Sequence, residues 1–189
     1  DLERAIMQVN NDATIHGCLL FRPLPTHLDE TAVCNLLAPH KDIDGITNAS
    51  LASVFTDAGV GFAPATAAAV IRLLDHYEVP LNGANVVVVG RSLVIGKPVA
   101  MLLLARHATV TMCHSRTADL ARVMREADIV VCATGRARAY GEECFSAGQV
   151  VVDVGINFDA EGNLCGDVDL AAVEPVVGAI TPVPGGIGS

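Results

Sequence analysis

The chain has 189 residues, a formal net charge of −9 and 51% hydrophobic residues, with no tryptophan. That length suits one large domain or two small ones with an ample core. The acidic balance excludes nucleic acid as the main partner, because no basic patch is at hand to neutralise phosphates. Six scattered cysteines without a CxxC pair point to buried thiols in a reducing, cytoplasmic setting, with neither disulfides nor a metal site. No apolar run is long enough to span a bilayer.

In chain order, residues 2–9 predict a helix broken at Asn10 to Asp12. Residues 17–21 read as a short buried strand, stopped by Pro23 and Pro25. Residues 28–37 predict a helix, and Pro39 to Gly45 a polar loop. The Ala-rich run from Ala65 to Tyr77 predicts a strong helix, with Thr66 or a neighbour as its cap. Val79 to Gly83 is a linker and the best boundary. It divides a first domain (1–80) from a second (81–180), with a returning loop at 181–189. The chain opens on what reads as the middle or end of an amphipathic helix and stops in a loop, as a fragment would.

The second half alternates regularly. Strands are expected at 86–89, 109–113, 129–133 and 150–154, with helices at 98–106 and 119–126. Such alternation implies right-handed βαβ units and a parallel sheet. Four consecutive valines, Val86 to Val89, fit a strand buried on both faces. Gly90, Arg91, Ser92, Ile95 and Gly96 then form a turn into a helix opened by Pro98. Strand, glycine turn and helix aim backbone N–H groups and a helix dipole at phosphate. The spacing is neither a dinucleotide fingerprint nor a Walker A loop: Ser92 takes the second glycine's place and Gly96 falls one residue late. An ordinary βα turn is the alternative.

Ligands of open α/β sheets bind at the carboxyl ends of the strands. The four expected strand ends carry Gly90, Arg91 and Ser92; then His114, Ser115 and Arg116; then Thr134 and Gly135; then Gly155, Ile156 and Asn157. Small and polar residues at all four ends favour a dinucleotide site. The second end has no acid to accept from a ribose 2′-OH, whereas Arg91, Ser115 and Arg116 suit a 2′-phosphate, so NADP is preferred over NAD. The competing readings are that Arg91 and Arg116 are solvated surface residues and that His114 makes only a local hydrogen bond. The Pro/Gly-dense run from Thr181 to Gly188 suits a rigid loop walling a site.

Together these residues resemble the methylenetetrahydrofolate dehydrogenase/cyclohydrolase family, of FolD type. The resemblance rests on Lys41 to Gly45, Val89 to Ser92 with Ile95 to Pro98, and Thr109 to Ser115. It rests also on Asp153 to Asn157, Gly166 to Val168, and above all Thr181 to Gly188. It implies two α/β domains around a cleft, the second a Rossmann-like parallel-sheet domain, and a homodimer. The implied chemistry is oxidation of methylenetetrahydrofolate with NADP, and in many members hydrolysis to 10-formyltetrahydrofolate. The resemblance makes Asp44 the catalytic, pterin-contacting acid and places Pro182, Gly185 and Gly186 beside the substrate. It places Gly90, Arg91, Ser92, Ile95, Gly96, His114, Ser115, Arg116, Thr134, Gly135, Gly155, Ile156, Asn157 and Thr181 on the cofactor.

Three features depart from the family. Phe21 stands where the family has a glutamine that assists hydrolysis, and a phenyl ring cannot hydrogen-bond in its place. Residues 64–69 vary the start of a helix. The family's Tyr-x-x-x-Lys motif is not in this chain, whose only lysines are Lys41 and Lys97. The alternatives are an NAD-using monofunctional dehydrogenase and a non-catalytic folate- or nucleotide-binding homologue.

Overall fold

The computed structural model describes residues 1–188. Four helices come first: α1 (Leu2–Asn11), α2 (Glu30–Cys34), α3 (Asn48–Thr56) and α4 (Ala65–His76). Then strands and helices alternate: β1 (Asn85–Val89), α5 (Gly96–Ala105), β2 (Thr109–Cys113), α6 (Leu120–Arg125), β3 (Ile129–Cys132) and β4 (Val150–Asp153). A short hairpin, β5 (Asn157–Phe158) with β6 (Leu164–Cys165), precedes α7 (Leu170–Val173) and β7 (Ala179–Ile180).

The main sheet is parallel throughout, in the order β2-β1-β3-β4-β7. Counting β7 as the fifth strand, this is the doubly wound 2-1-3-4-5 order, whose switch point lies between β1 and β3. The valine runs explain why. Val86, Val88, Val131 and Val152 face α4 and α5, where they pack on Val70, Leu74, Val99 and Leu103. Their neighbours Val87, Val89, Val130 and Val151 face the other way, onto Met124, Tyr140, Phe145 and Val173. Both faces of these strands are buried, so no polar alternation survives. Each such side chain contributes about 1.5–3 kcal/mol on burial. The expected strands and helices of this half are found within two residues of their bounds.

Residues 1–64 are built differently. A small apolar cluster of Ile6, Val33 and Leu37 is joined by Leu2, Val9, Leu20 and Leu24, and the rest is polar bracing. Lys41, only 5% exposed, donates from Nζ to the carbonyls of Val9, Asn10 and Asp12 at 2.6, 3.1 and 2.6 Å. It thereby satisfies carbonyls that the end of α1 leaves without helical partners. Asn10 ties α1 to the following loop, donating to the Leu36 carbonyl (2.6 Å) and accepting from the Ala38 N–H (2.8 Å).

Several local expectations are corrected here. α1 runs on through Asn10 to Asn11 before Asp12 ends it, because Lys41 caps its far end. Residues 17–21 are not a strand: one bridge, Cys18 to Asp42, is their sole pairing among the described residues. The expected polar loop 39–45 contains a 3-10 turn (Pro39–Lys41), and both Lys41 and Asp42 are buried in it. α4 starts after Pro64 without a side-chain cap, so Thr66 does not cap it. Helix α3 was not expected at all. Among the described residues, no helix is long and apolar enough to cross a membrane.

Candidate active site

The β1 turn closes tightly. Gly90 has φ 129° and donates its N–H to the Cys113 carbonyl at 2.9 Å. A Cβ on Gly90 would strike the Ala133 carbonyl at the end of β3, and one on Gly96 would strike the Gly90 carbonyl. Both positions therefore require glycine for close approach, the role of the first and last glycines in a dinucleotide turn. The off-pattern spacing does the same packing job. One detail differs from expectation. Ser92 Oγ accepts from the N–H groups of Ile95 (3.1 Å) and Gly96 (3.4 Å), and the Ser92 carbonyl accepts from Lys97 N–H (3.0 Å). The first N–H groups of α5 are thus engaged by the turn itself, and the cationic side chains nearby are the free anion-seeking groups.

Those cations are Arg91 after β1 and Arg116 after β2. Both are exposed, and neither has an ion-pair partner among the described residues. His114 shapes the second strand end: its N–H donates to Thr117 Oγ1 (2.9 Å) and its Nδ1 accepts from Arg116 N–H (3.1 Å). His114 Nδ1 is thus engaged in a local bond. Ser115 is exposed between them.

The third and fourth strand ends are organised by two buried carboxylates whose role the sequence did not reveal. Asp167, fully buried, accepts from Thr134 N–H and from Thr134 Oγ1 (2.9 Å), Gly135 N–H (3.2 Å), Arg136 N–H (2.8 Å) and Asn157 Nδ2 (2.9 Å). Asp153 accepts from Gly155 N–H (2.9 Å), Asp167 N–H (3.0 Å) and Val168 N–H (2.8 Å). Burial pushes the Asp153 carboxyl above its usual range, the neighbouring Asp167 adds to this, and the three N–H donors work against it. The packing is reciprocal: a Cβ on Gly155 would meet the Asp167 carboxylate, and one on Gly166 the Asp153 carboxylate. Gly166 to Val168 stood out as a motif in the sequence, but its partners lie up to 33 residues away. Thr181 joins this cluster through its hydroxyl, which accepts from Asp153 N–H at 2.8 Å.

Two cavities flank the strand ends. One, of about 150 Å³, is lined by Thr66, Gly155, Ile156, Pro182, Gly185 and Gly186. It unites the expected loop residues with the end of β4. The other, of about 190 Å³, holds Asp44 with Arg22, Glu30 and Gly45 against Leu93 and Val94 of the glycine turn. Asp44 thus faces the same turn as the cofactor-side residues but lies in a separate pocket. Phe21 is 83% exposed and lines neither cavity. The thiols of Cys132 and Cys144 are pushed up by burial, Cys144 to about 11, so neither supplies a thiolate at neutral pH.

A doubly wound parallel sheet, with a glycine turn and two arginines without ion-pair partners among the described residues at its carboxyl edge, and an acid-bearing pocket lined in part by that turn, defines an α/β protein of the dinucleotide-domain type. Comparison with known proteins narrows the class. Residues 64–189 match the model of the tetrahydrofolate dehydrogenase/cyclohydrolase NAD(P)-binding domain, and residues 1–44 that of the catalytic domain. The bifunctional protein FolD of Carboxydothermus hydrogenoformans is 52% identical over 189 residues, covering 99% of this chain and 66% of that protein. The crystal structure of the bifunctional FolD enzyme from Campylobacter jejuni superposes with a TM-score of 0.96 at 37% identity, over 99% of this chain and 66% of that one. The Trypanosoma brucei FolD, complexed with NADP cofactor and inhibitor, gives a TM-score of 0.91 at 36% identity, over 99% and 66%. The chain spans about two thirds of the length of these relatives. It belongs to the tetrahydrofolate dehydrogenase/cyclohydrolase family.

Proposed function

We propose that the protein of which this chain is part oxidises 5,10-methylenetetrahydrofolate with NADP and hydrolyses the methenyl product to 10-formyltetrahydrofolate, acting as a cytoplasmic homodimer. The observation that carries the reading is the alignment of five parallel strand ends on one edge, with Arg91 and Arg116 there unpaired among the described residues and the Asp44 pocket sharing the same glycine turn. The relatives' names support both activities, and the NADP complex of the trypanosome enzyme supports the cofactor.

The residues present fit NADP. Arg91 and Arg116 are guanidinium donors of the kind that pair with a 2′-phosphate, and no acid competes at the end of β2. NADP, when bound, supplies the hydride acceptor. The chain's own part is to bind, orient and exclude water. Asp167 fixes the loops after β3 and β4 along which a nicotinamide would lie. The Pro182, Gly185 and Gly186 loop walls that side of the cleft. Asp44 offers two carboxylate oxygens to the 2-amino-pyrimidinone edge of a pterin. Reaction then depends on holding the two partners in contact in a dry cleft. We further propose residues 1–80 as the folate lobe, 81–180 as the cofactor lobe and 181–189 as the loop between them.

The test is NADPH formation from methylenetetrahydrofolate by the full-length protein, with Arg91→Ala as the diagnostic variant. The KM for NADP should rise about tenfold while NAD turnover is unchanged, the loss of one charged phosphate contact. No NADP-dependent turnover would sink the reading, and an equal effect on NAD would remove Arg91 from the 2′-phosphate.

A further inference from the structure

We propose that Arg22 is a positioning residue for the folate headgroup, acting through Asp44. The inference rests on the folate reading of the Asp44 pocket and assigns the next residue in that pocket a task. The Arg22 Nη2 lies 3.7 Å from Asp44 Oδ2, and the two side chains are 24% and 29% exposed. At that distance the contact is an ion pair but not a hydrogen bond. The guanidinium therefore limits the rotamers of the carboxylate while leaving its lone pairs open to an incoming donor pair. That is the state a headgroup with two adjacent N–H donors needs to find already formed, since ordering the acceptor beforehand lowers the cost of binding.

The surroundings hold Arg22 to this role. The other carboxylate in the cavity, Glu30, accepts from Leu24 N–H through Oε2 at 2.8 Å and makes no ion pair with Arg22 among the described residues. Asp44 is the only ion-pair partner of Arg22 among the described residues. Leu93 and Val94, which also line the cavity, have apolar side chains that offer a guanidinium no partner. The chain thus places an arginine beside the pterin acid directly after Phe21, whose ring lines no part of this pocket.

Steady-state kinetics on the full-length protein test this. Arg22→Leu should raise the KM for methylenetetrahydrofolate about fivefold, the upper range for a partly exposed pair. It should leave kcat within about twofold, as loss of uniform binding requires, and should not alter the Kd for NADP, which also reports an intact fold. Arg22→Lys should recover most of the loss by keeping the charge. In the Asp44→Asn background, Arg22→Leu should have little further effect on folate KM, because the two act as one unit. An unchanged folate KM in Arg22→Leu, or costs that add in the double variant, overturns the proposal while leaving the folate function in place. Absence of folate-dependent turnover in the unsubstituted protein overturns the functional reading and this proposal together.

Discussion

Residues 65–188 and residues 1–64 reach order by opposite means. In the first, valines alternate across a parallel sheet and pack into two apolar layers against helices on either side. In the second, the apolar cluster is small, and two buried polar side chains, Lys41 and Asp42, with the half-buried Asn10, tie the segments together. An apolar layer spreads its stabilisation over many contacts, so it tolerates local change. A polar brace concentrates it, because an orphaned buried donor or acceptor keeps its full desolvation penalty. The strand-end site combines the two, with an apolar sheet beneath and the Asp153 and Asp167 carboxylates at its rim.

That contrast can be broken most sharply at Asp167. Asp167→Ala strips the acceptor from five donors at once and should cost about 4 kcal/mol, read as a lower urea midpoint, the scale of breaking a buried charged network. NADP affinity should fall in parallel, since the loops at 134–136 and 157 lose their common anchor. A conservative core change in the sheet below, Val131→Ala, should cost less than Asp167→Ala and leave NADP affinity intact.

The brace in residues 1–64 is the next test. Lys41→Met keeps most of the stem's volume but leaves the carbonyls of Val9, Asn10 and Asp12 without their donor. The expected loss is about 3 kcal/mol in chemical denaturation. Hydrogen exchange should locate the added opening in α1 and the 36–42 turn, not in the sheet. Equal loss of protection in β1 and β3 would show that the two regions unfold as one unit and would remove the contrast.

The same division decides what was legible in the sequence. Beneath the strand ends, period and burial coincide: Val86 to Val89 and Ile129 to Cys132 announce a doubly buried strand, and the helices between them follow. Where polar groups do the work, pattern gives no warning. α3 turns serines inward, with Ser50 and Ser53 buried and Thr47 as its cap accepting from Ser50 N–H, so it shows no apolar stripe to detect. β7 and the β5–β6 hairpin are two residues per strand, too short for any alternation. Cys18 to Phe21 has the composition of a strand but only one bridge to hold it. At the site, the glycine turn and the strand-end arginines could be named from local spacing. The contacts of Asp167 reach to residues 134 and 157, and only the fold brings them together.

The smallest expected effect gives the contrast a pH dependence. Asp42 is fully buried and accepts from Ile46 N–H (3.0 Å), Thr47 N–H (2.8 Å) and Ser50 Oγ (2.8 Å). Burial pushes its carboxyl up, but the Thr47, Ile46 and Ser50 bonds together outweigh this and hold it below the usual range. A carboxyl held lower in the folded state than in the unfolded contributes stability above the unfolded value, and that contribution drains away as pH falls through the folded one. Asp42→Asn keeps the shape and one acceptor but gives up the charge. It should cost about 2 kcal/mol at neutral pH and progressively less as pH falls below the ordinary carboxylate range, where the wild-type group takes up its proton. Burial acts on Asp153 with the opposite sign, so its stabilising share belongs to low pH and is lost as pH rises through its raised folded value. Urea midpoints of wild type and Asp42→Asn across that range therefore isolate the brace: converging curves assign the acid limb to Asp42, and parallel curves assign it elsewhere.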